Sequence, residues 1–213
     1  MRRCIVIAAA VLALAGWSRP AAAQVFGQLA AAPPLPMNGH EFGGYVEFSE
    51  NLLGFLGQLR LSFHPGVDFG VQGGLGRYDT GSSDVTTARL GVDFKCLAAS
   101  IEQGSPVDVS VGGAIGLETG DELSLLSLGP AVVASRPVSV AGEPRFVPYA
   151  GLSLLFWRAD VGDADSNDFT APLRVGTEID MGPGLRASAE LKLMLGDTFQ
   201  DDVSFTVGIR TSF

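Results

Sequence analysis

The chain has 213 residues, of which only 17% are charged and 28 are glycine, against roughly 25% charged and about 7% glycine in an average soluble domain. That composition excludes a disordered polyelectrolyte. Mean hydropathy is positive, yet the longest apolar run, residues 4–17, spans 14 positions, short of the roughly 20 a membrane-crossing helix needs, so a helical membrane protein is excluded too.

Arg2 and Arg3 precede an apolar stretch over residues 5–16, and Ala21, Ala22 and Ala23 supply the small residues of a cleavage site. This pattern predicts a removable export signal over residues 1–23, cut before Gln24. Loss of Arg2, Arg3 and Arg19 leaves 11 basic and 23 acidic residues, a net charge of −12. With no basic patch, nucleic acid is not an expected partner. Cys4 leaves with the signal, so Cys96 stands alone and no internal disulfide is expected. Residues 24–40 carry Ala30, Ala31, Ala32, Pro33, Pro34 and Pro36 without sustained periodicity. They read as an extended periplasmic tail leading into a domain over residues 41–213.

From Glu41 the apolar period becomes two, as in a strand with unlike faces. The first segment, residues 41–49, sets Phe42, Val46 and Phe48 on one side. Residues 55–63 oppose Phe55, Leu59, Leu61 and Phe63 to Gln58, Arg60 and Ser62, and residues 67–75 oppose Val67, Phe69, Val71 and Leu75 to Asp68 and Gln72. Residues 88–96 oppose Leu90, Val92, Phe94 and Cys96 to Arg89, Asp93 and Lys95; residues 107–117 oppose Val109, Val111 and Ile115 to Asp108 and Ser110. Residues 123–135 and 145–158 are apolar on both sides and carry Pro130 and Pro148, which cannot donate to a ladder. Alternation then returns in residues 173–181, 185–193 and 203–213, the last with Val203, Phe205, Val207, Ile209, Thr211 and Phe213 on one face. Ten such strands exceed the strand content of ordinary soluble domains. They predict an all-β fold, a closed antiparallel transmembrane β-barrel of ten strands, or eight if residues 123–158 are misread.

Charge is sorted between the faces. Seven basic residues (Arg60, Arg89, Lys95, Arg174, Arg186, Lys192, Arg210) and eight acidic ones (Glu47, Asp68, Asp93, Asp108, Glu118, Glu178, Asp180, Glu190) lie on polar faces. A basic residue facing lipid at the midplane would cost about 2–4 kcal/mol. A soluble barrel would also keep charge from its core, but polar faces rich in Gly and Ser suit a crowded lumen better than a solvated exterior, which favours lipid outside. A soluble periplasmic ligand-binding barrel is the rival fold-level reading.

The terminal segment, alternating to a final Phe213, resembles the carboxyl-terminal assembly signal of bacterial outer-membrane barrels, and residues 41–213 resemble the small OmpA/OmpX-like barrels of the porin-like superfamily. The resemblance implies a place in the Gram-negative outer membrane, contact with its lipid and lipopolysaccharide, and reading of Phe205, Val207, Ile209 and Phe213 by the barrel-assembly machinery. Thr211 departs from that pattern, which usually carries an apolar or aromatic residue there. The resemblance also puts both termini in the periplasm. The outer loops then fall at residues 50–53, 79–85, 119–122, 159–168 and 196–202, and the connections at 97–106 and 137–144 are longer than periplasmic turns usually are.

Chemistry is sparse. His40 and His64 both map to the periplasmic end, whereas barrel proteases and lipid A deacylases place a catalytic His near the outer end, and no G-x-S-x-G motif occurs. No enzyme and no cofactor are expected. Twelve acidic residues lie in or beside the outer loops; among them Asp163, Asp165 and Asp168 are candidate cation ligands, although Asp168 takes the glycine position and Arg174 the final glutamate position of a calcium loop. The alternative is a solvated loop. The lumen charges Arg60, Arg89, Asp93, Arg174, Glu178, Arg186, Glu190 and Arg210 read either as a paired filling of a narrow barrel or as the lining of a small passive channel. The expected role is therefore a non-enzymatic envelope-structural or surface-interacting barrel, with a narrow porin as the alternative.

Overall fold

Period-two alternation becomes continuous strand almost everywhere in the computed structural model, which describes residues 30–79, 84–121, 123–138, 145–161, 164–195 and 203–213. The expected export signal lies outside the described residues. The strands are β1 (His40–Phe48), β2 (Leu52–His64), β3 (Val67–Asp79), β4 (Asp84–Ala99), β5 (Asp108–Gly120), β6 (Leu123–Ser135), β7 (Phe146–Ser153), β8 (Leu155–Val161), β9 (Ala164–Gly182), β10 (Leu185–Leu195) and β11 (Val203–Ser212). Each pairs antiparallel with its neighbours, and β11 returns to β1 with Glu41 opposite Ser212 and Phe48 opposite Phe205. The sheet is therefore a closed barrel without a free edge.

Eleven segments make ten staves. β7 and β8 both lie between β6 and β9 in one unbroken register, Ala131 facing Ser153 and Leu128 facing Phe156 on one side, Leu152 facing Leu173 and Leu155 facing Thr170 on the other. The interruption is Leu154, whose N–H still donates to the Pro130 carbonyl at 3.0 Å. Its cause is proline on both flanks: the register sets Pro130 opposite Leu154 and Pro172 opposite Ser153, and neither has an N–H to return. The ten-stave count holds, and the eight-strand alternative falls because β6, β7 and β8 in this stretch are all wall strands.

Several expected boundaries change, as strands run further into the expected loops. The outer loop expected at 159–168 is mostly hairpin, since β8 runs to Val161 and β9 begins at Ala164. The connection at 97–106 is shortened by β4 and tightened by a 3₁₀ turn, Ile101–Gln103, capped by the Ser100 side chain and ended by Gly104 at φ 89°. Both ends of the barrel domain, His40 and Phe213, lie at one rim, the terminal end, and the opposite rim is the distal end.

Polarity is inverted relative to a soluble domain. Arg60, Arg89, Lys95, Asp68 and Glu118 are buried inside, whereas Leu90, Ile209 and Phe63 are each more than 60% exposed on the outside. The outer face is also layered: Phe42, Phe63, Phe69, Phe94 and Phe213 stand toward the terminal rim and Phe48, Phe169 and Phe205 toward the distal rim, all exposed, with Leu90, Val92, Val71 and Ile115 between them.

Candidate functional site: the barrel lumen

The lumen face of each strand is its polar face, so side chains from opposite walls meet across the axis. At the terminal end the incoming chain is itself inside. Asn38, at φ 61°, sits in a turn where Gly39 N–H donates to Pro36 O at 2.8 Å, and that turn folds residues 30–35 back into the mouth. Ala30, Ala31, Ala32 and Leu35 are buried. Their main chain is held by barrel side chains: Ala31 N–H donates to Glu178 and Ala32 N–H to Ser135 Oγ (3.1 Å); Leu35 N–H donates to Asp68 Oδ2 (3.0 Å). Lys95 Nζ donates to Ala31 O (2.8 Å) and Pro33 O (3.2 Å), and Ser110 Oγ to Ala32 O (2.6 Å). Where this tail goes was open from its composition; its described part forms a stopper.

Around the stopper the charges pair. Arg60 bridges Asp68 and Asp93, the latter at 2.8 Å, and Asp93 also accepts from Gln72. Arg210 holds Glu178 (2.7 Å) and Glu41 (3.0 Å), and Arg186, half-exposed at the mouth, lies 3.5 Å from Glu41 and 3.3 Å from Asp180. At mid-height Glu190 accepts from Tyr149 at 2.9 Å with Arg174 3.9 Å away, and Tyr45 donates to Gln58 at 3.2 Å.

The distal third is two-sided. On one wall Glu47 joins Arg89 (3.1 Å) to Lys192 (2.9 Å), and Arg89 continues to Glu118 (3.0 Å) and the Tyr78 hydroxyl (2.6 Å). On the other, Leu125, Trp157 and Ala159 are buried in apolar contact, and Leu155 is buried too. These residues explain why 123–135 and 145–158 look apolar on both faces.

The lumen residues expected from the sequence, Arg60, Arg89, Asp93, Arg174, Glu178, Glu190 and Arg210, all lie buried in this interior, with Arg186 at its mouth. Sequence reasoning missed Glu41, although it shares parity with Glu47 on β1, and missed the tail, whose anchoring groups lie up to 147 positions away. Of the assembly-signal residues, Phe205, Ile209 and Phe213 are exposed outside, and the Phe213 ring stacks on His40 with centroids 5.8 Å apart. Val207 lies on the same strand opposite Val46. Asp163 lies outside the described residues. Asp165 and Asp168 stand on β9, not in a loop; Asp165 faces Asp160 across the hairpin, and Asp168 accepts from Phe169 N–H at 2.7 Å. Among the described residues no group of three or more His, Cys, Asp or Glu side chains could hold a metal.

No family model matches the chain, and no curated protein matches it. Solved structures with a similar strand layout include a bacterial polysaccharide outer membrane secretin (14% identity, TM-score 0.47, 82% of this chain and 69% of that one) and the beta domain of the Bordetella autotransporter BrkA (12%, 0.46, 82% and 99%). Another is LpxR from Salmonella typhimurium (11%, 0.45, 89% and 80%). At such identities and scores these likenesses say nothing about activity. The class defined by the chain's own geometry is a closed ten-stave antiparallel barrel with an apolar exterior and a charged, occupied lumen.

Proposed function

We propose that this chain is an outer-membrane barrel that spans the bilayer with its lumen closed, serving envelope structure or surface contact and not conduction. The exterior supports the first half. Large apolar side chains stand exposed on every stave, whereas a soluble monomer rarely exposes a contiguous apolar patch beyond a few hundred Å². The two aromatic bands match the interfacial girdles of membrane barrels, and the eight steps from Phe55 to Phe63 rise about 20 Å in a strand tilted by roughly 40°, close to the ~25 Å apolar band of such barrels.

The observation that carries the second half is the burial of lumen side chains: Arg60, Arg89, Lys95 and Trp157 are each less than 2% exposed. A water-filled path through the barrel would wet them. Tail and ion pairs instead fill the terminal end, and ion pairs and an apolar cluster share the distal third, as expected for a barrel only slightly wider than one of eight strands. His40 stacks on Phe213 and His64 Nδ1 lies 3.0 Å from Pro65 O, contacts of rim residues, so the reading includes no catalytic role. β11, with Phe205, Val207, Ile209 and Phe213, would be the segment read during assembly, and lipopolysaccharide would surround the distal rim, where Arg77 pairs with Asp84 and Arg158 lies 3.4 Å from Asp160.

Planar-bilayer recording tests the closed lumen. Folded protein, verified by a gel-mobility shift on boiling, is expected to insert without discrete conductance steps. Reproducible single-channel steps would overturn the closed lumen and favour the narrow porin.

A further inference from the structure

We infer that the terminal mouth of the barrel is a binding site for an extended polypeptide segment rich in Ala and Pro, occupied in this chain by its own residues 30–35 and able to take the same kind of segment from outside. The inference goes beyond the closed-lumen reading, because a conducting barrel could hold such a peptide and a silent one could fail to.

Three features make the mouth a site and not simply a packed core. First, the contacts read backbone. Glu178, Ser135 and Asp68 accept from three N–H groups, while Lys95 and Ser110 donate to three carbonyls. Recognition of main chain by alternating acceptors and donors is how a strand-like peptide is bound, with pockets setting which side chains fit. Second, the fit selects small residues. Ala32 is 0% exposed and Ala31 5%, leaving little room for a longer side chain.

Third, the barrel-side charges do not depend on the tail. Glu178 keeps Arg210 at 2.7 Å, Asp68 keeps Arg60, and Lys95 keeps Asp68 at 3.6 Å. Withdrawal would therefore leave each ionised group with a partner of opposite sign, avoiding the penalty for a buried unpaired charge. The tail is joined to the wall where Asn38 N–H donates to Ser62 O (2.8 Å) and Ser62 N–H to Gly39 O (3.0 Å). Beyond that joint, Asn38 supplies the left-handed turn about which residues 30–37 would swing.

The test uses a chain lacking residues 24–37 and a fluorescent synthetic peptide of residues 30–37. Saturable binding to the shortened barrel, none to the full-length barrel, and at least about tenfold weaker binding of a peptide carrying Ala31→Leu and Ala32→Leu are expected. Unchanged anisotropy with a heat-modifiable shortened barrel, equal uptake by the full-length barrel, or equal binding of the bulkier peptide would each overturn the inference. If the shortened chain does not fold, a protease site placed between Met37 and Asn38 is cut after folding and the released segment is washed out in detergent, its loss checked by mass spectrometry; the emptied mouth then meets the same peptides, and the same outcomes decide.

Discussion

Glu47 shows how much depends on single side chains inside this barrel. Its two oxygens serve two cations, Arg89 at 3.1 Å and Lys192 at 2.9 Å, and Ser204 Oγ donates to it at 3.3 Å. A buried pair adds little net stability once desolvation is counted, but removing one partner strands the other. Glu47→Gln strands Lys192 and leaves Arg89 with the Glu118 carboxylate, so the variant should lose about 3–5 kcal/mol, measured by urea unfolding in detergent micelles; a loss below about 1 kcal/mol would mean that water already reaches these groups. That Glu47, Arg89 and Lys192 lie on the polar face was legible from parity, and that this face is the inner one from the Gly and Ser that crowd it. Their pairing was not, because alternation fixes the face of a residue and not the height at which strands far apart in sequence present it. Glu41 shows the same limit: its parity is that of Glu47, but nothing in the alternation brings it to Arg210, 169 positions away.

At the scale of elements, the seventh stave separates what pattern could and could not show. Its apolar residues on both faces obscured the strand, since the usual contrast disappears where Leu155 and Trp157 fill the lumen opposite a lipid-facing wall. The break at Leu154 is set by prolines on two other strands. The same spot is tight: a Cβ on Gly129 would lie 1.9 Å from the Leu154 carbonyl oxygen, whereas one on Gly44 would meet nothing within 4 Å. Gly129→Ala should therefore cost about 2–3 kcal/mol as the backbone shifts, and Gly44→Ala no more than about 0.5 kcal/mol. Equal effects in the same unfolding assay would show that the stave is looser than its geometry. The many glycines thus have a local cause, since others form shelves under large lumen residues: a Cβ on Gly208 would lie 2.2 Å from the Tyr45 ring, and one on Gly176 2.5 Å from the Tyr149 ring.

For the whole molecule, the central claim is that the barrel is inside out, with lipid against its apolar wall and its charges and one tryptophan within. After removal of the expected signal, Trp157 is the sole tryptophan of the chain, and it is 1% exposed inside the lumen, while Leu90 is 61% exposed on the outer wall between the aromatic bands. Brominated acyl chains quench tryptophan by contact, so they distinguish the two faces directly. The measurement is tryptophan fluorescence in bilayers with and without such lipids, comparing the natural chain with a variant carrying Leu90→Trp and Trp157→Phe. Strong quenching of the variant and weak quenching of the natural chain is the expected result; an unquenched tryptophan at position 90 in a folded, bilayer-incorporated barrel would contradict it.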